Sequence, residues 1–228
     1  MKRVVSSIIA VLFSAGAAQA APVTIDFESL SAGDLVSTQF AGVTISGARN
    51  GAPMGSPNAA MVFDTDNPTG NDSDLAAPFD NPTTGPVEML MPGNVLIVST
   101  DDNASDPDDA AGGGMLSFLF DQAVTIFSLN AFDINGSESI TFDFFDVNDV
   151  LITSISNGMV TTGDNEFLGF NFNIAGVARL AITLSGSGAI DDLVYEVEEV
   201  PVPAALPLLL SGLAGLGFAS RRKKSKTA

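Results

Sequence analysis

The sequence predicts an all-β protein, whose body is a jelly-roll-like β-sandwich and whose C-terminus adds a transmembrane helix. The body alternates short stretches rich in Val, Ile, Phe and Thr with clusters of Gly, Asn, Asp and Pro, as strands alternate with turns. Several stretches also alternate apolar and polar residues, and no stretch of the body has a helical period. Many short strands with frequent turns are typical of sandwiches and jelly rolls.

Strand composition defines the predicted elements of the body. In the stretch 139–145, for example, Ile140, Phe142 and Phe144 lie on one face. The dipeptide Asn135-Gly136 predicts a hairpin between two strands. Long polar loops are expected at 64–86 and 100–114. The predicted strands are 23–27, 42–46, 60–63, 95–99, 115–120, 124–132, 139–145, 151–156, 167–172, 178–184 and 189–197.

The N-terminus has the pattern of a secretory signal. Lys2 and Arg3 precede an apolar stretch at 4–17, which is short for a transmembrane helix. A small-x-small site follows at 18–20 and predicts cleavage between Ala20 and Ala21. The alternative is an uncleaved anchor.

The C-terminus combines a proline motif, an apolar stretch at 204–219 and a basic tail. Counted from the motif, the weakly polar segment is about 20 residues, the length that crosses a bilayer at about 1.5 Å rise per residue. The basic tail is expected to stay in the cytoplasm, which places the body outside. An ordinary membrane anchor would share these features. The motif is Val200, Pro201, Val202 and Pro203, and the tail includes Arg221, Arg222, Lys223 and Lys224.

Residues 200–228 resemble a PEP-CTERM sorting signal of the VPLPA type in motif, helix and basic tail. The resemblance implies that a membrane-embedded exosortase recognises and removes the tail, and that the protein is associated with exopolysaccharide or biofilm matrix. One departure is that Pro201-Val202-Pro203 replaces Pro-Glu-Pro. Segments 63–75, 93–97 and 106–114 also resemble extracellular proteins with such tails. The implied organisation is a signal peptide at 1–20, an extracellular sandwich at 21–199 and a sorting signal at 200–228.

Charge and composition exclude several functions. Residues 21–199 contain two basic and 27 acidic residues, a formal charge of −25, so a nucleic-acid partner is excluded. Cations, or an anionic polysaccharide bridged by cations, are the expected partners. The chain has no Cys and no His, which excludes disulfides and the Ser–His–Asp and Cys–His triads.

The first polar loop is a candidate calcium site, because calcium binds six to eight oxygens from carboxylates, amides and carbonyls. Asn67 and Asn71 lie among its carboxylates. Pro68 and Leu75 occupy the fifth and twelfth positions, so the loop is not an EF-hand. A solvated, turn-rich loop is the alternative. The carboxylates are Asp64, Asp66, Asp72 and Asp74.

The second polar loop carries five carboxylates within nine residues. Their mutual repulsion is expected to recruit a cation or to raise some of their pKa values. Here too a solvated loop is the alternative. The residues are Asp101, Asp102, Asp106, Asp108 and Asp109.

A third group lies on the first and last strands. Asp26 and Glu28 would converge with Asp191 and Asp192 if the terminal strands are neighbours. Carbohydrate-binding jelly rolls resemble this arrangement, with a structural calcium near the termini. Alternatively, these acids mark the solvated face of two edge strands.

These patterns predict a non-enzymatic envelope or matrix protein, and they leave one rival class open. The rival is a glycan hydrolase that uses two paired carboxylates. The body has no Trp and a single Tyr, Tyr195, whereas sugar-processing clefts usually stack sugars on such rings. The predicted body is therefore an adhesive or structural sandwich that depends on calcium.

Overall fold

The computed structural model describes residues 21–70, 72–83, 89–156, 163–198 and 212. In the described parts of 21–198 the regular structure consists of strands and one 3-10 turn at Ser73–Leu75, so the all-β prediction for the body is confirmed. The strands are β1 Val23–Ile25, β2 Val43–Arg49, β3 Ala60–Asp64, β4 Phe79–Asp80, β5 Met89–Leu90, β6 Asn94–Val98, β7 Gly114–Phe132, β8 Ile140–Phe145, β9 Leu151–Ser156, β10 Phe167–Leu184 and β11 Ala189–Val197.

Two long strands, β7 and β10, form the centre of the main sheet. They pair antiparallel along most of their length, and the strand order is β3-β6-β11-β7-β10-β8-β9. The first part of β7 also pairs with β2, and its second part pairs with β11. The last part of β10 pairs with β8. A small separate sheet contains β4 and β5.

The sequence predicted each long strand as two shorter ones. The predicted strands 115–120 and 124–132 are joined in β7, and 167–172 and 178–184 are joined in β10. Three register shifts interrupt the β7–β10 pairing between Asn171 and Arg179, where Asn173 and Gly176 have positive φ. Bulges bend a strand without ending it, and the interrupted composition of the sequence marks these bends.

The core forms where the sheet packs against itself. Phe142 on β8 is fully buried and contacts Phe170 and Phe172 of β10 at ring-centroid distances of 4.7 and 5.0 Å. These two rings lie on the first part of β10, whereas β8 pairs with its last part. Tilted and edge-to-face ring pairs therefore join two regions of one bent sheet, as expected of a sandwich.

The predicted hairpin at Asn135-Gly136 is wrong. β8 pairs with β10 and β9, and its pairing with β7 is absent among the described strands. Gly136 does have positive φ, so the turn exists. Instead of returning the chain beside β7, it carries the chain across to the far edge of β10, where the apolar face of β8 is buried.

The first and last strands of the body are neighbours. β1 pairs antiparallel with β11, with Val23 opposite Tyr195 and Ile25 opposite Leu193. The acids of the third predicted group lie just beyond this pairing.

No helix in the described part of the chain has the length and apolar character needed to cross a membrane. The predicted signal peptide at 1–20 lies outside the described residues, and so does the predicted sorting signal at 200–228 except for Gly212.

Candidate cation sites

The two long polar loops contact each other. The Thr69 hydroxyl donates a hydrogen bond of 2.7 Å to the Pro107 carbonyl, and the Gly70 N–H donates one of 2.9 Å to Asp106 Oδ1. The Asp109 N–H donates to Asp72 Oδ2 at 2.9 Å. These hydrogen bonds hold the two loops against each other and bring the carboxylate of Asp72 to the backbone of Asp109.

Asp72, Asp108 and Asp109 form what we call the loop cluster. Each contributes a carboxylate oxygen, and these oxygens all lie within 4.8 Å of one another. Within the described residues this is the single group of three acids so closely spaced. Three converging carboxylates provide several of the oxygen ligands that a hard divalent cation requires, so the cluster could hold a metal ion.

Burial makes the negative charge of this cluster costly. Asp109 is 6% exposed, and its Oδ2 accepts a 2.5 Å hydrogen bond from the Gly188 N–H. Burial, together with the charge of Asp72, raises the pKa of Asp109 to about 8. Burial likewise raises the pKa of Asp72 to about 6, with Asp108 adding repulsion. Asp109 therefore holds a proton at neutral pH unless a cation replaces it.

No basic side chain is left to neutralise these acids. Arg49 and Arg179 are the only basic residues between 21 and 199. Arg49 forms an ion pair of 2.6 Å with Asp102, and Arg179 forms one of 2.5 Å with Asp149. The charge of the loop cluster must therefore be balanced by protons or by ions from solution.

In the structure, the acids of each predicted loop group do not all lie together. Asp64 accepts hydrogen bonds from the Asp66 N–H and Asn67 Nδ2, both at 2.9 Å, so its carboxylate closes a turn. Asp66 is exposed, and the carboxylate of Asp101 caps the Asn103 N–H at 2.8 Å. Of the first loop's acids, Asp72 alone joins the loop cluster.

Asp74 and Asp106 lie beside the loop cluster without belonging to it. The charge of Asp74 raises the pKa values of Asp72 and Asp109. Asp106 accepts the hydrogen bond from Gly70 and thereby ties the two loops together.

Asp133 is a buried acid that the sequence did not single out. It is fully buried, and its Oδ1 accepts a 2.7 Å hydrogen bond from Asn135 Nδ2. Burial raises its pKa to about 7, and the charges of Asp74, Glu138 and Asp164 contribute. The available signal in the sequence was the position of this acid directly after Phe132, at the end of a buried strand. The burial of Asp133, however, depends on chain segments that are remote in sequence.

The acids of the terminal strands also converge. Asp191 is 2% exposed, and its pKa is raised to about 9 by burial first and then by the charges of Asp192, Glu28 and Asp26. Asp192 Oδ2 accepts a 3.0 Å hydrogen bond from Asn130 Nδ2. The four acids lie close enough to repel one another, as the neighbouring terminal strands led us to expect.

Comparison with known proteins gives no family. No family model matches the chain, and no curated protein matches it. Among solved structures it is similar to tailspike protein 4 of bacteriophage CBA120 (TM-score 0.34, 16% identity), a match that covers 75% of this chain. The chain spans 21% of the length of that tailspike domain.

Two smaller solved structures are also similar. A fucose-binding module of Streptococcus pneumoniae matches with a TM-score of 0.29 and 10% identity, over 61% of this chain and 93% of the module. TmCBM61 in complex with β-1,4-galactotriose matches with a TM-score of 0.34 and 14% identity, over 70% of this chain and 90% of TmCBM61. Overlap this low does not transfer a ligand or an activity to this chain.

Proposed function

We propose that this protein is a non-enzymatic, exported component of the cell envelope or polysaccharide matrix, with a jelly-roll-like sandwich that requires calcium. The loop cluster of Asp72, Asp108 and Asp109 is the observation that carries the proposal. An ion there joins two long loops that otherwise meet through a few hydrogen bonds and repelling charges.

The choice of calcium follows from the ligand chemistry. The chain has neither His nor Cys, the ligands that favour zinc and copper. Carboxylates and backbone carbonyls on irregular loops suit calcium, which accepts six to eight oxygens in flexible geometry, whereas magnesium demands a near-ideal octahedron.

A non-enzymatic role is supported by the composition of the body. It has no Trp and a single Tyr, Tyr195, whereas sugar-processing clefts usually stack their substrate on such rings.

The charge of the body indicates a class of partner. A body with charge −25 repels anionic polysaccharide, and exposed acids such as Asp66, Asp101 and Asp106 would bind it through bridging calcium.

Calcium is expected to raise the melting temperature of the full-length protein by several degrees over its value in chelator. A ligand that binds only the folded state stabilises it by about 2.7 kcal/mol at 100 times its Kd. Asp72→Asn should remove the part of this increase that the loop cluster supplies, because the amide cannot replace the anionic ligand.

Asp121→Asn is the matched control, since Asp121 is an exposed acid on β7. It should keep the full calcium response. A melting temperature that is unaffected by millimolar calcium would remove calcium from the proposal. Turnover of glycans that Asp72→Asn abolishes would favour the hydrolase.

The sorting part of the proposal rests on the two terminal segments and is tested by mass. We expect the mature protein to lack residues 1–20 and the segment after about residues 200–203. Protein recovered from the envelope with its C-terminal tail intact would reduce this segment to a simple anchor, and intact full-length protein in the cytosol would contradict export.

A further inference from the structure

We propose a second calcium site, the terminal-strand site, where β1 meets β11, with Asp191 as its buried ligand and Asp192, Glu28 and Asp26 as the acids around it. This proposal does not rest on the proposed function, because it concerns different residues at a different junction of the fold.

The first observation is a carboxylate oxygen without a partner. Asp191 is 2% exposed, and its Oδ1 is buried with no hydrogen-bond partner in the described structure. A backbone hydrogen bond from Asp192 favours the ionised carboxylate, but leaving one of its oxygens buried without a partner is still costly, because that oxygen has lost its water. A cation at this oxygen removes that cost.

The second observation is that like charges surround this oxygen. Asp192, Glu28 and Asp26 all repel the Asp191 carboxylate. The two arginines of the body are engaged with Asp102 and Asp149, so no basic side chain balances these four acids. Their charge must therefore be balanced by a proton, as the raised pKa of Asp191 indicates, or by a cation from solution.

The backbone around these acids holds them in place. β11 has register shifts between Asp191 and Tyr195, and Asp192 has φ 53°, so two successive acids leave the regular alternation of the strand. On the other side, Glu28 Oε1 accepts a 2.6 Å hydrogen bond from the Asn94 N–H. A Cβ on Gly93 would lie 2.6 Å from the same oxygen, so the glycine makes room for the carboxylate.

The spacing of these acids sets the kind of ion. They are more widely spaced than the loop cluster, which alone among described residues places three carboxylates within 4.8 Å. Calcium suits such a site because it completes its shell with carbonyl oxygens and water at flexible geometry. An ion here links the first strand of the body to its last, so its binding would stabilise the pairing of β1 with β11.

Calorimetric titration of the full-length protein with calcium chloride tests this site. Asp191→Asn is expected to remove one equivalent of bound calcium while keeping the loop-cluster equivalent, and Asp72→Asn is expected to do the reverse. Glu28→Gln changes an exposed side chain, so it should fold normally and weaken the terminal-strand equivalent by about tenfold. Asp121→Asn is the control and should leave both equivalents unchanged.

Hydrogen exchange supplies a second measurement. Calcium should slow exchange of the β1 amides in the unmodified protein and in Asp72→Asn, but not in Asp191→Asn. Unchanged calcium stoichiometry in Asp191→Asn, together with unchanged affinity in Glu28→Gln, would overturn the proposal and identify Asp191 as a buried neutral acid. Loss of the Asp72 equivalent alone would bear only on the proposed function.

Discussion

Gly70→Ala is expected to remove most of the calcium-dependent increase in melting temperature that the loop cluster supplies. Gly70 has φ +64°, and a Cβ at this position would lie 2.5 Å from Asp108 Cβ and 2.9 Å from Asp108 Cα. A methyl group there must push Asp108 and its loop away from Asp72. We expect destabilisation of about 1–3 kcal/mol, the usual cost of overpacking. Calcium binding at the loop cluster should become at least about tenfold weaker, because calcium affinity depends on the number of charged ligands and on how rigidly they are held.

Gly55→Ala separates the steric clash from the backbone strain. Gly55 has φ +68°, nearly that of Gly70, but the nearest atom to its added Cβ would be Ser46 Cβ at 3.6 Å. Both variants pay the cost of an alanine at positive φ, about 1 kcal/mol, and only Gly70→Ala displaces a carboxylate of the cluster. Equal calcium responses in the two variants would show that the approach of Gly70 to Asp108 does not position the cluster.

Asp133→Asn is expected to stabilise the protein in chelator at pH 8, and the gain should shrink as the pH falls. The pKa of Asp133 is raised from 3.8 to about 7 by burial and by the charges of Asp74, Glu138 and Asp164. At pH values between 3.8 and about 7, the folded state therefore keeps a proton on Asp133 that the unfolded state has released. The stability of the folded state falls as the pH rises through this window. The upper limit is about 4 kcal/mol, at about 1.4 kcal/mol per pKa unit.

The amide suits this position. Asn at 133 keeps an oxygen for Asn135 and tolerates the positive φ of 56° found here. Melting curves of both proteins should differ by several degrees at pH 8 and converge near pH 4, and the exposed Asp121→Asn should show no such convergence. A difference that does not change with pH would mean that Asp133 titrates near its ordinary value in the fold.

The strands were largely predictable because strand composition is local. Alternation in 139–145 placed Ile140, Phe142 and Phe144 on one face, and all three are fully buried in β8. The same local signal failed where a strand bends. The stretch between 172 and 178, which contains Asn173 and Gly176, separated two predicted strands, but bulges let the hydrogen bonding of β10 with β7 continue through it.

The sequence identified most of the acids of the candidate sites, but it did not identify which of these acids lie together. Asp72 was grouped with Asp64 and Asp66, its neighbours in sequence, but a carboxylate site depends on distances across the fold. The contact between the two loops brought it instead to Asp108 and Asp109, 36 or more residues further along the chain. The burial of Asp133 could not be read from the sequence for the same reason.

The sequence by itself determined the strand content, the excess of acids in the body, and the absence of His and Cys. These are properties of composition and of the two-residue period, and they already restricted the site chemistry to oxygen ligands. Only the tertiary structure decided which acids meet and which become buried. Burial and repulsion depend on distances between segments remote in sequence, and the folding of the sheet, with its pairing of β1 to β11, sets those distances.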